Sequence, residues 1–362
     1  MKIKKIVAVH LLNDFSGSPL VFTQALEGLQ KAGYEIILHT SKNREGFLSR
    51  IKSKVVYFPY QFVSNVYGRL ILFIISQIVL FFQILKYRKE DVIIYVNTLL
   101  PFGAALAGKI TGKKIIYHLH ESYIQPKPLK MFLRYVASST ANTVLYVSNY
   151  LLEVEHLKNV KSHVIYNALP DEFVEQSEGF SYHHLQHDKF CVLMVCSLKT
   201  YKGVHEFISL AQRHPTLKFE LVLNASDLDI QQFFVEEDLS ANLFIYPVQK
   251  NLHPFYQRAS LVVNLTNPGW CVETFGLTLL EAMCYGVPVI APPVGGPSEF
   301  VKSGLNGFTV DVRKIKELDQ VLESLATDKL KCVNLSSGAK LTSKKFTSQN
   351  LQNQVNSVIG LL

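Results

Sequence analysis

At 362 residues, 48% of them hydrophobic and 18% charged, the chain is long enough for two cored domains, and its composition excludes an intrinsically disordered protein. Its five cysteines, Cys191, Cys196, Cys271, Cys284 and Cys332, make no CxxC pair and no metal-ligand spacing, which excludes a disulfide framework and suits a reducing cytosol. The net charge of +8 is uneven: residues 1–165 carry 21 Lys and Arg against 9 Asp and Glu, or +12, and the remainder 16 against 20, or −4.

In chain order, the start Met1-Lys-Ile-Lys-Lys-Ile-Val-Ala-Val-His10 has too short an apolar run for a signal peptide and reads as a buried strand over 3–9. The loop after it, Asn13-Asp-Phe-Ser16-Gly17-Ser18-Pro19, leads into an amphipathic helix, with Ser18 the expected N-cap and Pro19 its first residue. The backbone of that loop can approach a phosphate or an acceptor hydroxyl. Strand-like runs follow at 35–39, 55–58, 92–96, 114–118 and 143–147. Between the second and third of these, residues 70–85 (LILFIISQIVLFFQIL) are apolar nearly all round yet shorter than a membrane span and interrupted by Ser76, Gln77 and Gln83. They read as a buried or membrane-touching helix. Arg50, Lys52, Lys54, Arg69, Lys86, Arg88 and Lys89 flank it, so an anionic membrane surface is the natural partner and a solvated basic face the alternative. The basic half shows no nucleic-acid module or aromatic-basic stacking pattern, so nucleic acid is not an expected partner. At Tyr117-His118-Leu119-His120-Glu121, alternation puts both histidines on one face with His120 nearer the strand's end; a plain core or surface histidine is the competing reading.

Residues 167–188 are polar and histidine-rich and read as a linker, with His183, His184 and His187 solvated rather than metal-binding. Strand-like runs resume at 190–196, 218–223, 243–246, 261–265, 287–291 and 307–310. Alternation of strands and helical patterns from end to end argues for parallel sheets covered by helices, an α/β fold. In such sheets ligands sit beyond the carboxyl ends of the strands. Pro268 and Gly269 make a loop after one strand, and Leu277, Leu279, Leu280 and Met283 then recur at helical spacing, so a helix should begin near Gly276. Glu273 stands before that helix and Glu281 inside it. A helix start offers unpaired N–H groups, here those of Phe275, Gly276 and Leu277, and a positive dipole end to an anion such as a diphosphate. Two carboxylates about 10 Å apart along such a helix could grip the two sugar rings of a nucleotide sugar, each accepting from a pair of hydroxyls. An N-cap glutamate and a solvated helix glutamate are the plainer alternative.

Residues 267–307 resemble the donor-site signature of the retaining GT4 family of glycosyltransferases, which have the GT-B fold. Glu273, Phe275-Gly276, Glu281-Ala282, Gly286, Pro288-Val289-Ile290, Gly295-Gly296, Glu299 and Asn306-Gly307 stand in the family's order, with weaker echoes at Gly17, Asn167-Ala168 and Lys202-Gly203. The resemblance implies two Rossmann-like doubly wound domains facing across a cleft: an acceptor domain over 1–168, a linker over 169–188, a donor domain over 189–345 and a terminal helix over 346–362 packing back on the first domain. It further implies metal-independent transfer of a hexosyl group, with retention, from a nucleotide diphosphate sugar to a hydroxyl of a glycan or lipid-linked acceptor. The matching setting is surface polysaccharide synthesis in the cytoplasm, at the inner face of the cell membrane.

Carried over residue by residue, the resemblance has Glu273 orient the transferred sugar, Lys202 hold the diphosphate, Glu281 hold the ribose, His120 approach the sugar, and Ser16 and Gly17 face the acceptor; Lys199 is not matched by the family and is the candidate here for the charge of the arginine missing at 197. Ser197 stands where the family has an arginine, and the loop after the first strand has one glycine where the family has two. These departures keep a second reading open, that of a donor-binding or scaffolding homologue without turnover. A GT-B epimerase or phosphorylase would need its own signature, which is lacking, and a nicotinamide dehydrogenase would need a GxGxxG after a strand.

Overall fold

A computed structural model describes residues 5–42, 45–61, 63, 65–185 and 189–362; residues 1–4 and His187, which enter the sequence reading, lie outside the described residues. The chain forms two compact units, Met1–Ala168 with Ser348–Leu362, and Leu169–Thr347.

The first unit runs β1 (Lys5–Val9), α1 (Gly17–Lys31), β2 (Glu35–Ser41), β3 (Lys54–Phe58), α2 (Val66–Leu85), β4 (Val92–Asn97), α3 (Phe102–Ile110), β5 (Lys114–Leu119), α4 (Lys127–Thr140), β6 (Thr143–Tyr146), α5 (Asn149–Glu155) and β7 (Lys161–Val164). The strands form one parallel sheet in the order β3-β2-β1-β4-β5-β6-β7. β-branched runs such as Ile6-Val7 and Ile93-Ile94 are buried completely, as strands covered on both faces require. Register places Ile6 between Ile36 and Ile93. Strand order reverses between β1 and β4, so the loops beyond those two strands border the crevice where a doubly wound sheet takes its ligand.

Two expectations need correction here. α1 begins at Gly17 with Ser16 as its N-cap residue, two positions before Ser18. The Asp14 carboxylate takes the Ser16 N–H and hydroxyl, at 2.9 and 2.5 Å, and turns the chain early; Pro19 then falls where an N–H is unpaired anyway. β7 is a strand that the sequence reading lacks. It lies at the sheet edge, paired to β6, and its residues Lys161-Ser-His-Val are half-exposed.

The 70–85 segment is part of α2, 20 residues long. α2 docks on α3 so closely that a Cβ on Gly103 would lie 2.2 Å from the Gln77 carbonyl oxygen. The Gly103 N–H donates to Gln77 Oε1 at 3.1 Å, and the Ser76 hydroxyl donates to the Phe73 carbonyl at 2.6 Å. Tyr67, Leu70, Ile71, Ile74, Ile75, Ile78 and Phe82 remain exposed. Because α2 leaves β3 and returns to β4 of the same sheet, it runs along the unit rather than away from it.

The second unit comprises α6 (Asp171–Ser177), β8 (Cys191–Cys196), α7 (Val204–Arg213), β9 (Lys218–Leu223), α8 (Asp227–Phe233), β10 (Leu243–Tyr246), α9 (His253–Arg258), β11 (Leu261–Val263), α10 (Leu277–Cys284), β12 (Val289–Ala291), α11 (Pro297–Phe300), β13 (Gly307–Thr309), α12 (Ile315–Thr327) and α13 (Lys329–Ser343). Its parallel sheet runs β10-β9-β8-β11-β12-β13, with the reversal between β8 and β11. Val192, Phe207, Leu221, Val263 and Ile290 lie at the heart of its core.

The chain then returns to the first unit as α14 (Ser348–Gly360). α14 packs on α1, where a Cβ on Gly28 would meet Gln352 Cβ at 2.6 Å.

The segment expected to be a linker is folded into the second unit. Phe173 packs at a tilt on His253, ring centroids 4.5 Å apart, and meets Tyr256 and Tyr285 edge-on, and buried His184 donates from Nε2 to the Leu325 carbonyl, 2.9 Å away. Phe173 and Phe180, the latter edge-on to Tyr285 at 5.4 Å, anchor it among polar residues, which a composition average hides.

Candidate functional site

In the second unit the loops after β8 and β11 meet at the strand-order reversal. Gly203, at φ +83°, caps the start of α7, and a Cβ there would lie 2.2 Å from the Leu265 carbonyl oxygen. The Asn267 N–H also donates to the Tyr201 carbonyl, 2.9 Å away. These contacts bring Lys202 Nζ to 2.7 Å from Glu273 Oε2. The pair is mostly enclosed, at 22% and 15% side-chain exposure.

Burial alone would lower the Lys202 pKa, but the Glu273 charge and hydrogen bond outweigh it and push it up to about 12. For Glu273, burial pushes upward. The Lys202 charge and hydrogen bond, with further bonds from Asn264 and the Phe275 N–H, hold it below the ordinary carboxylate range. Both groups are therefore charged at neutral pH.

Asn264 is a site residue that sequence reading missed. Its Oδ1 accepts from the Thr266 N–H at 3.0 Å and hydroxyl at 2.7 Å, which fixes the amide so that Nδ2 donates to Glu273 at 3.2 Å. The one signal available was its place at a strand end facing the ligand side.

α10 begins at Leu277, as its spacing predicts, with Gly276 at φ +91° and ψ 54° as N-cap. That left-handed turn suits glycine. The Gly295-Gly296 pair lets the 273–275 loop lie flush: the Gly296 N–H donates to the Glu273 carbonyl at 3.0 Å, and a Cβ on Gly296 would sit 2.1 Å from the Thr274 carbonyl oxygen. One expectation changes. The Phe275 N–H serves the Glu273 carboxylate, and its ring packs on Phe300 and Phe346, which leaves Gly276 and Leu277 at the head of the helix start. The rest of the motif is architecture. Asn306 donates to the Phe300 carbonyl and the Thr342 hydroxyl, both at 2.8 Å.

Glu281 lies one turn into α10, half-buried, accepting from the Tyr256 hydroxyl at 2.5 Å. Burial raises its pKa, the Tyr256 bond opposing. Tyr256, from α9, is the second partner missed by sequence. Ser197 is half-buried and Lys199 exposed; the Lys199 N–H donates to the Ser197 carbonyl at 2.8 Å, and the Lys199 side chain reaches outward rather than to the Lys202 and Glu273 pair. Arg313, near Gly269, is committed to Asp311 and does not supply the arginine that the 197 position lacks.

In the first unit His120 ends β5, half-buried, and belongs to a chain of polar groups at the strand-order reversal. Asn97 Nδ2 faces the Ser18 carbonyl at 3.2 Å and His10 Nδ1 at 3.0 Å. A carbonyl only accepts, so that end of the amide is its NH2. Oδ1 then faces His120 Nε2 at 2.8 Å, which must be N–H, and Nδ1 carries the lone pair. Burial, with His118 and His10 nearby, drives the His120 pKa well below its ordinary value. Gly17 is exposed and Ser16 half-buried at the head of α1, tied to this chain through Ser18. Among the described residues, no group of three or more His, Cys, Asp and Glu side chains is placed to hold a metal ion.

Known proteins resemble this chain in sequence and fold. The family profile described as glycosyl transferases group 1 matches residues 176–342, and that of Glycosyltransferase Family 4 matches residues 15–173. A D-inositol 3-phosphate glycosyltransferase of Paenarthrobacter aurescens is 27% identical over 54% of this chain and 49% of its own length, so the chain matches only about half of that relative. A 41.2 kDa protein in the cps region of Klebsiella pneumoniae is 24% identical over 75% of this chain and 80% of its own length. Among solved structures, Anabaena Alr3699/HepE in complex with UDP and glucose superposes with a TM-score of 0.78 at 20% identity, covering 99% of this chain and 100% of that one. The lipopolysaccharide outer core galactosyltransferase WaaB gives 0.70 at 17% identity, over 98% and 99%. Two doubly wound parallel sheets, a lysine and glutamate pair at a helix start, and these matches agree: the chain belongs to the GT4-type glycosyltransferases and has their GT-B fold.

Proposed function

We propose that the protein transfers a hexosyl group from a nucleotide diphosphate sugar to a hydroxyl of a glycan or lipid-linked acceptor, with retention at the anomeric carbon. The observation that carries this reading is the braced ion pair of Lys202 and Glu273 beside the Gly276 helix start. As the bond from the anomeric carbon to the diphosphate breaks, negative charge grows on the leaving oxygens. Lys202 and the Gly276 and Leu277 amides stabilise that charge, with exposed Lys199 as an auxiliary cation. Glu273, released from Lys202 by the incoming diphosphate, holds sugar hydroxyls and faces the positive centre. Glu281 holds the ribose, a bond to which Tyr256 orients it. His120, neutral, accepts from a sugar hydroxyl through Nδ1, and Ser16 and Gly17 flank the acceptor. The acceptor oxygen bonds the anomeric carbon on the face the diphosphate leaves, and its proton passes to a leaving phosphate oxygen, so no metal is required. A cytoplasmic place at the inner membrane face, in surface polysaccharide assembly, fits such an acceptor and the basic first half of the chain.

A panel of nucleotide sugars assayed by thermal shift, followed by nucleotide release with glycan acceptors, tests the reading. Lys202→Ala should cut turnover about 100-fold while changing donor binding less, and Glu281→Ala should weaken donor binding about tenfold. Turnover should persist in excess chelator. Normal turnover in both variants would refute the site, and a protein that binds donor without ever releasing nucleotide would be a scaffold instead.

A further inference from the structure

Helix α2 is apolar on both sides, unlike the usual surface helix. The side turned to the protein buries Phe73, Leu80 and Ile84 together with polar Ser76 and Gln77, and it carries Gln83, whose amide donates to the Tyr57 carbonyl at 2.9 Å. The side turned outward carries Tyr67, Ile71, Ile74, Ile75, Ile78 and Phe82, between 44% and 79% exposed. Their spacing makes one stripe, roughly 22 Å long at the helical rise.

The stripe cannot be hidden by rolling the helix. Gln77 is held by the Gly103 N–H, and beneath the helix's end buried His39 bridges Gln83 Oε1 and the Tyr87 hydroxyl, both at 3.1 Å. Rotation would break these bonds and bury the apolar side chains nowhere. An exposed apolar stripe held in place this firmly marks a surface meant to be covered.

We propose that the outward face of α2 lies flat on an anionic lipid surface, with its stripe at the acyl-chain boundary and the basic turn that follows it over the headgroups. Charge selects this occupant. α2 contains no Asp or Glu, and Lys86, Arg88 and Lys89, all exposed, follow at once. A second copy seated stripe to stripe would set basic turn near basic turn, since Glu90 is engaged by Lys5 and Asp91 is outnumbered by Lys86, Arg88 and Lys89. Acidic headgroups supply what is missing. Aromatic residues at both ends of the stripe, Tyr67 and Phe82, suit the interfacial depth, and the return of the chain from β3 to β4 keeps the helix in the plane of the surface. The inference concerns a face of the first unit, goes beyond the donor-site reading and stands independently of it.

Flotation of the full chain with phosphatidylcholine vesicles, with and without phosphatidylglycerol, tests this. The unaltered protein should float with the anionic vesicles. The exposed-face variant Ile74→Glu with Ile78→Glu should bind at least about tenfold more weakly, while its melting temperature and its donor-induced thermal shift stay unchanged. Lys86→Glu with Lys89→Glu should weaken binding to the anionic vesicles about tenfold and leave residual binding to neutral ones unchanged. Equal flotation by the unaltered protein and the Ile74 and Ile78 variant overturns the proposal, as does indifference to phosphatidylglycerol. So does a dimer in sedimentation, free of lipid, that the isoleucine variant dissociates.

Discussion

The groups to which we assign this chemistry act in pairs, and the partner of each is what sequence leaves unseen. Glu273, Glu281, Lys202 and His120 were legible, because a carboxylate before a helix, a lysine ahead of a glycine and a histidine at a strand end are patterns along the chain. Asn264, Tyr256 and Asn97 were not. Each is one polar residue whose target stands 9, 25 or 23 positions away, and nothing in the chain marks it until the fold closes the distance. Asn97 has the sharpest consequence. By donating to Ser18 and His10 it fixes its own orientation, and through Oδ1 it fixes the His120 tautomer. With burial holding His120 neutral far below its ordinary pKa, the unaltered enzyme should show no ionisation from this residue in the profile of kcat/KM between about pH 5 and 8. Asn97→Asp puts a carboxylate against two ring nitrogens, which favours the imidazolium. A new ionisation should enter the neutral range and turnover should fall. A structural role alone would lower activity without moving the profile, and an unaltered enzyme already breaking near pH 6.5 would contradict the assignment.

At the scale of elements, all twelve strands expected from β-branched runs form: the central ones because a strand buried on both faces must be apolar throughout, and the edge strands β3 and β10 because Val55-Val-Tyr-Phe58 and Leu243-Phe-Ile-Tyr246 keep the apolar pattern all the same. β7 escaped for the converse reason: an edge strand with Lys161, Ser162 and His163 keeps only one neighbour and little burial, so it has no hydrophobic pattern to read. The start of α1 moved because Asp14 competes for the turn, a side-chain effect that propensity does not register. α2 was ambiguous since composition gives total hydrophobicity and not which side faces out. α10 is the element on which the proposed donor site depends, and its start was legible from Gly276. Gly276→Ala should cost about 1–2 kcal/mol of second-unit stability, because a left-handed backbone penalises a Cβ; that Cβ would also meet Pro297 Cγ at 3.0 Å. Any relief moves the Gly276 and Leu277 amides, so binding of the bare nucleoside diphosphate should weaken together with that of the sugar donor. Calorimetric titration with both ligands checks this. Weakening for the sugar donor alone would place the diphosphate away from the helix start.

For the whole molecule, the two units differ in what acid does to them. The first unit buries His10, His39, His118 and His120. Burial holds His10 and His39 down at about 4 and His118 at about 3, from an ordinary 6.5. As pH falls below 6.5 the unfolded chain takes up protons at these positions before the folded one does. Stability is therefore full above about pH 6.5 and drains away as pH drops towards 4, and towards 3 for His118, on the order of 3 kcal/mol at most for His10 and His39 and about 5 kcal/mol for His118. The second unit has a different dependence: a nucleotide sugar that binds it raises its stability by mass action, by about 2.7 kcal/mol at a hundred times Kd. Hydrogen exchange followed along the chain separates the two. Lowering pH from 7 to 5, with rates corrected for intrinsic exchange, should deprotect β1, β2 and β5 ahead of β8 and β11. Donor added at pH 7 should protect the 197–203 and 264–281 loops first. His39→Gln, which can keep a hydrogen bond to Tyr87 without a titrating ring, should flatten the acid dependence of the first unit, and an acid response unchanged by that substitution would mean that His39 is not held neutral by its burial against α2.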